Sequence, residues 1–313
     1  MQFFHMQFFH RLLGTTCALV LLSAACTTLN PGVGTSPTGS DRGQSTTTPV
    51  DAELSELTIA MIPDRRGKDG EERLQKFTEY LETSLEMPVT VEVTPDYDTA
   101  VALLVHGTVA MAYLGPLTYV EAKAQNASIE PIVAHIESST GYPWYTSVVV
   151  ANGDQGIKTI ADLRGKDFGF VSDSSTSGFL VPRSFLLQQG IDPDRDFRSV
   201  QFSGSHDQNV AHLAKGSVDA IAIDKAAYEV GLRSGLLTPE KQILLWESDP
   251  IPNPPIVANG RVSSELRLKI QRVLVNAPPG LASINSESAA GYTIVQDDDY
   301  EGIRQLTQSR QQP

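Results

Sequence analysis

Residues 167–182 read DFGFVSDSSTSGFLVP, and the order of residue types in this stretch decides what fold can hold it. DFGFVS is short, aromatic and partly β-branched, the composition of a buried strand. From Ser177 an apolar pattern runs on through FLVPRSFLLQQG and predicts a helix over 177–190 that ends at Gly190. Between strand and helix, residues 172–177 carry five hydroxyls and one carboxylate. Helix starts expose unpaired N–H groups at the positive end of the macrodipole, so this turn has the geometry to hold an anion. Ser175, Thr176 and Ser177 add hydroxyl donors, and Gly178 lets the backbone approach closely. Pro182 has no N–H to give the Gly178 carbonyl, which predicts a separate or kinked first turn. An ordinary N-cap would account for an isolated STSG equally well, so the surroundings must decide.

Working outward, the same strand-then-helix order repeats. LTIAMIP reads as a strand, and GEERLQKFTEYLETSLEM places Leu74, Phe77, Leu81 and Leu85 on one helical face before Pro88. VTVEV, a helix over 96–107 closed by Gly107, VAMAYL, the helix PLTYVEAKAQ and the strand IEPIVAHIE follow. Beyond the opening stretch come FRSVQF, a helix over 206–216 closed by Gly216, VDAIAID, KQILLWE and a helix over 263–276 with Leu266, Ile270, Val273 and Leu274 on one side. Such alternation predicts an α/β protein with mostly parallel sheets flanked by helices. The expected division is one lobe from 54–148 plus 252–313 and a second from 149–251, joined by crossing strands near 146–151 and 248–257. Ligands of open α/β sheets sit beyond the carboxyl ends of strands, so the cleft between lobes is the expected site.

The first fifty residues have a different character. MQFFH occurs twice, Arg11 follows, and LLGTTCALVLLSAAC at 12–26 has the length and small-residue ending of an export signal. Its ending resembles a bacterial lipobox, which predicts removal of residues 1–25 and acylation of Cys26. TTLNPGVGTSPTGSDRGQSTTTPV then reads as a flexible tether, over 26–53, of roughly 30 Å typical span. Cys17 and Cys26 are the two cysteines of the chain, which leaves neither a disulfide nor a cysteine metal site in the mature protein. A net charge of −13 over 313 residues argues against a general nucleic-acid surface but not against a local anion site.

Four blocks share one precedent: YLGPLTYV (113–120), SDSSTSGFLVP (172–182), FSGSHDQNVAHLAKGSVDAIAID (202–224) and IPNPPIV (251–257). Together they resemble the phosphonate-binding proteins of bacterial ABC uptake systems, including relatives that take phosphite or phosphate. The resemblance implies a two-lobed periplasmic-binding-protein fold (type II) that closes on its ligand and delivers it to a membrane permease. It implies no enzyme activity and no cofactor, and an expected monomer on the periplasmic or extracytoplasmic face. By position, the Ser-Thr-Ser run of the family matches Ser175, Thr176 and Ser177, its histidine matches His206, and its two tyrosines match Tyr97 and Tyr145. Tyr113, which opens the first block, and the carboxylates Asp207 and Asp224 complete the candidate ligand-binding set. Family members that bind aminoethylphosphonate hold its ammonium with two carboxylates, and those positions match Ala226 and Pro254 here. Neither can pair with a buried cation. The expected ligand is therefore a tetrahedral phosphorus oxyanion without an amine: phosphite, methylphosphonate or phosphate. An anion-sensing module for a signalling partner, or a binder of another small anion, stays open as an alternative.

Enzymatic readings find no support in the pattern. Ser177, His206 and Asp207 supply the types of a hydrolase triad, yet no G-x-S-x-G elbow surrounds the serine, and adjacent His and Asp are poorly placed to orient one another. The chain has no G-x-x-x-x-G-K-[ST] loop and no H-E-x-x-H. His206 and His212 are six apart, more than one helical turn, so they do not form a helical metal pair.

Overall fold

A computed structural model describes residues 54–63, 69–278, 280–281 and 289–310; the expected signal of residues 1–25, Cys26 and the tether lie outside them. The chain runs β1 (Leu57–Met61), α1 (Gly70–Leu85), β2 (Val89–Val93), α2 (Tyr97–Val105), β3 (Met111–Tyr113), α3 (Pro116–Gln125) and β4 (Glu130–Glu137). It continues through β5 (Trp144–Tyr145), β6 (Ser147–Asn152), β7 (Asp167–Phe170), α4 (Val181–Gln188), α5 (Pro193–Asp196), β8 (Ser199–Phe202), α6 (His206–Lys215), β9 (Ala220–Asp224), α7 (Lys225–Arg233) and β10 (Gln242–Glu247). It closes with β11 (Ile251–Pro252), β12 (Pro255–Ala258), α8 (Ser264–Val275), β13 (Ala289–Ile294) and α9 (Glu301–Arg310).

Two sheets organise these elements, in the orders β13-β4-β12-β3-β1-β2 and β10-β6-β9-β7-β8. β1 pairs in parallel with β2 and β3, and β7 with β8 and β9, as helical crossovers require. The antiparallel strands are those without such a crossover. β12 returns between β3 and β4, β13 adds to the edge on β4, and β6 enters beside β9 and β10. In both sheets most strands still point the same way, so their carboxyl ends gather on one side.

The link between the sheets is a two-stranded ribbon, β5 against β11, with Ile251 opposite Tyr145 and Pro252 opposite Trp144. The outward strand expected to cross near 146–151 is instead β6, an interior strand of the second sheet between β10 and β9. The reason lies in its composition: SVVVA is buried on both faces, whereas Trp144 in the ribbon is 41% exposed. The sequence reading also missed β13 and α9. AAGYTI alternates too weakly to signal a strand, and in EGIRQLTQSR Ile303 is the buried side chain among the described residues.

Cores form where the periodicity places them. On α1, Phe77, Leu81 and Leu85 are buried, and Leu74 packs at the margin of the same cluster. Against the second sheet Phe168, Phe170, Phe179 and Phe197 pack with neighbouring ring centroids 4.7–5.1 Å apart. Each ring contributes about 1.5–3 kcal/mol through burial. Phe179 belongs to the helix start after β7, so this cluster fixes the hydroxyl turn against the sheet.

Candidate functional site

The hydroxyl turn is a π-helical turn, Thr176–Leu180, that leads directly into α4. Leu180 N–H donates to Ser175 C=O and Val181 N–H to Thr176 C=O, each across five residues. Pro182 explains the wide turn. The Gly178 carbonyl that proline cannot reach is satisfied by the N–H of Val171, at 3.1 Å, so strand and turn are stitched together. Gly178 is needed for a different reason than ligand approach. A Cβ there would sit 2.4 Å from Val171 Cγ2 and 2.8 Å from Ser175 Oγ.

The hydroxyls divide their work. Ser175 Oγ caps the turn by accepting from Gly178 N–H at 3.1 Å, and Thr176 Oγ1 accepts from Leu117 N–H at 2.8 Å. A hydroxyl that accepts still has its own proton to donate. The Ser177 hydroxyl has no protein partner among the described residues, while its carbonyl accepts from Ser147 Oγ at 2.6 Å. Leu117 belongs to α3, whose N-cap Gly115 offers no side chain, so Thr176 caps a helix from the other sheet.

These groups line a cavity of about 30 Å³, room for a ligand of only a few atoms. Five helical starts reach it: Tyr97 opens α2, Gly115 caps α3, Ser175 caps the π-turn, His206 opens α6 and Asp224 caps α7. Their N-terminal dipoles favour an anion. Among the described residues no Lys or Arg lines the cavity, and the donors it offers there are these helical starts and neutral side chains. His206 Nδ1 accepts from the backbone N–H of Asp224 at 3.1 Å, which puts the proton of the neutral ring on Nε2. Asp224 Oδ2 lies 3.3 Å from the same Nδ1. Asp224 Oδ1 accepts from Ala227 N–H at 2.7 Å, so this carboxylate is a cap and a histidine neighbour at once.

Of the residues singled out in the sequence, Tyr97, Tyr113, Tyr145, Ser175, Thr176, Ser177, His206 and Asp224 all line the cavity. Asp207 does not, because it lies one step further round α6 from His206. Ala226 and Pro254 line it too. The sequence reading passed over His135 and Glu137 at the end of β4, and Asn253 directly after β11. Glu137 is 7% exposed and accepts from His135 Nε2 at 2.9 Å.

A family model described as "ABC transporter, phosphonate, periplasmic substrate-binding protein" matches residues 59–300. The "Phosphate-import protein PhnD" of Mycolicibacterium smegmatis is 28% identical over 95% of this chain and 95% of its own. The "Phosphonates-binding periplasmic protein" of Escherichia coli is 27% identical over 73% of this chain and 68% of its own. Among solved structures, PhnD1 of Prochlorococcus marinus in complex with methylphosphonate superposes with a TM-score of 0.72. At 23% identity, over 82% of this chain and 98% of that one, it shows the shared two-lobed fold.

Proposed function

The chain belongs to the family of periplasmic phosphonate-binding proteins of ABC transporters, a family of solute carriers rather than enzymes, and from that premise we propose its ligand and anchoring. It captures a small tetrahedral phosphorus oxyanion without an amine, namely phosphite, methylphosphonate or phosphate, for delivery to a membrane permease. The observation that carries this reading is the hydroxyl turn 175–177 set among five helical starts in one cavity. Hydroxyls and N–H groups suit an oxyanion whose charge is spread over several oxygens. The relatives agree in chemistry, one being named for phosphate import and another solved with methylphosphonate.

Ala226 and Pro254 carry the exclusion of aminoethylphosphonate, since an ammonium beside them would be desolvated without a carboxylate partner from either position. Calorimetric titration of the chain, freed of bound ligand, tests the reading. At least one of the three amine-free anions is expected to bind about 100-fold more tightly than aminoethylphosphonate. Preference for the aminophosphonate would refute it. In the same proposal Cys26, acylated after removal of residues 1–25, holds a monomer at the extracytoplasmic membrane face; mass spectrometry of the mature N-terminus checks this, and an unmodified Cys26 would exclude it.

A further inference from the structure

The cavity is not lined by donors alone. Asn253 is 1% exposed, and its other polar groups are engaged: N–H to Pro143 C=O at 2.9 Å, Nδ2 to His135 C=O at 2.8 Å, and C=O from Tyr300 Oη at 3.0 Å. Burial pushes the Tyr300 phenol well above its ordinary range, so it stays a donor. That arrangement fixes the amide orientation and leaves Oδ1 as an acceptor, buried and without a partner among the described residues, on a residue that lines the cavity. The neighbouring acceptor is Glu137. Its Oε1 takes the His135 Nε2–H, and no bond engages Oε2 among the described residues. His135 Nδ1 is likewise buried without a partner among the described residues.

A fully ionised oxyanion has only acceptors to offer, and acceptors facing Asn253 Oδ1 and Glu137 would be repelled. An anion that keeps one P–O–H hydrogen matches both walls: its bare oxygens face the hydroxyl turn, and its O–H faces the acceptors. We propose that Asn253 Oδ1 and the Glu137 carboxylate select a phosphorus oxyanion bearing a P–OH group, and reject tetrahedral anions that lack one. The inference rests on the proposed function above and narrows it to phosphate, or to a phosphonate or phosphite that keeps one P–O–H. Ala226 and Pro254, which line the same cavity, supply no carboxylate for an ammonium, which favours the hydroxyl.

The test is titration of the full chain at neutral pH with phosphate, sulfate, phosphite and aminoethylphosphonate. Phosphate is expected to bind about 100-fold or more tightly than sulfate, as a site built for a ligand O–H rejects analogues without it. In Glu137→Gln the amide can turn an N–H toward the ligand, and the phosphate-to-sulfate ratio should fall about tenfold or more. Equal wild-type affinity for phosphate and sulfate overturns the inference even if the variant does not fold. A folded Glu137→Gln protein with an unchanged ratio overturns it too, as does preference for the aminophosphonate. Wild-type binding to no phosphorus anion would bring down the underlying reading, and this inference with it.

Discussion

The double variant Thr176→Ala/Ser177→Ala is expected to lose oxyanion affinity by about 10³-fold, from two hydrogen bonds to a charged ligand at about 1.5–3 kcal/mol each. Ser177 is the cleaner half of the pair, because its hydroxyl has no protein partner among the described residues. Thr176 has a second duty. Its Oγ1 accepts from Leu117 N–H, so truncation leaves a buried donor unmet at the start of α3 and lowers stability by about 1–3 kcal/mol. Thr176→Ser keeps the oxygen and should recover most of both losses. Calorimetry and thermal melting separate the two effects, and affinity retained in the double variant would mean that the hydroxyl turn does not hold the ligand.

Gly178→Ala should be the more disruptive single change for the fold. Its new methyl would lie 2.5 Å from Val171 Cβ and 2.4 Å from Cγ2, and a β-branched side chain at a strand end has little freedom to withdraw. The backbone must move instead, and movement strains the Val171 N–H to Gly178 C=O bond that substitutes for the one Pro182 lacks. Overpacking of this kind costs about 1–3 kcal/mol, which lowers the melting temperature by about 2–4 °C per kcal/mol in a chain of this size. The displaced turn would carry Ser177 with it, so affinity should fall in parallel. A Gly178→Ala protein that melts and binds like wild type would show that the turn is not locked to Val171.

Much of this architecture was legible because local chemistry and tertiary role coincide. DFGFVS is apolar and becomes a buried strand; STSG is polar, sits at a helix start and opens into the cavity. Pro182 announced an irregular first turn, although nothing in the sequence said that Val171 would supply the missing donor. His135 and Glu137 were hidden for the opposite reason. They lie in IEPIVAHIE, where an apolar strand pattern signals core, and only the closing of the second sheet over the end of β4 turns them toward a cavity. Asn253 was masked by four neighbouring prolines at 250, 252, 254 and 255, whose evident role is to shape the return ribbon. The importance of that asparagine follows from Tyr300, forty-seven residues away, beside a helix that residue patterning did not reveal. Long-range hydrogen bonds of this type leave no periodic trace.

The most direct test of the account is diffraction from crystals of the chain grown with methylphosphonate. The account predicts the phosphonate group in the cleft, its oxygens within hydrogen-bond reach of the Ser175, Thr176 and Ser177 hydroxyls and of His206 Nε2. A phosphonate bound elsewhere on the molecule, or a cleft left without it at saturating concentration, would contradict the assignment of the site.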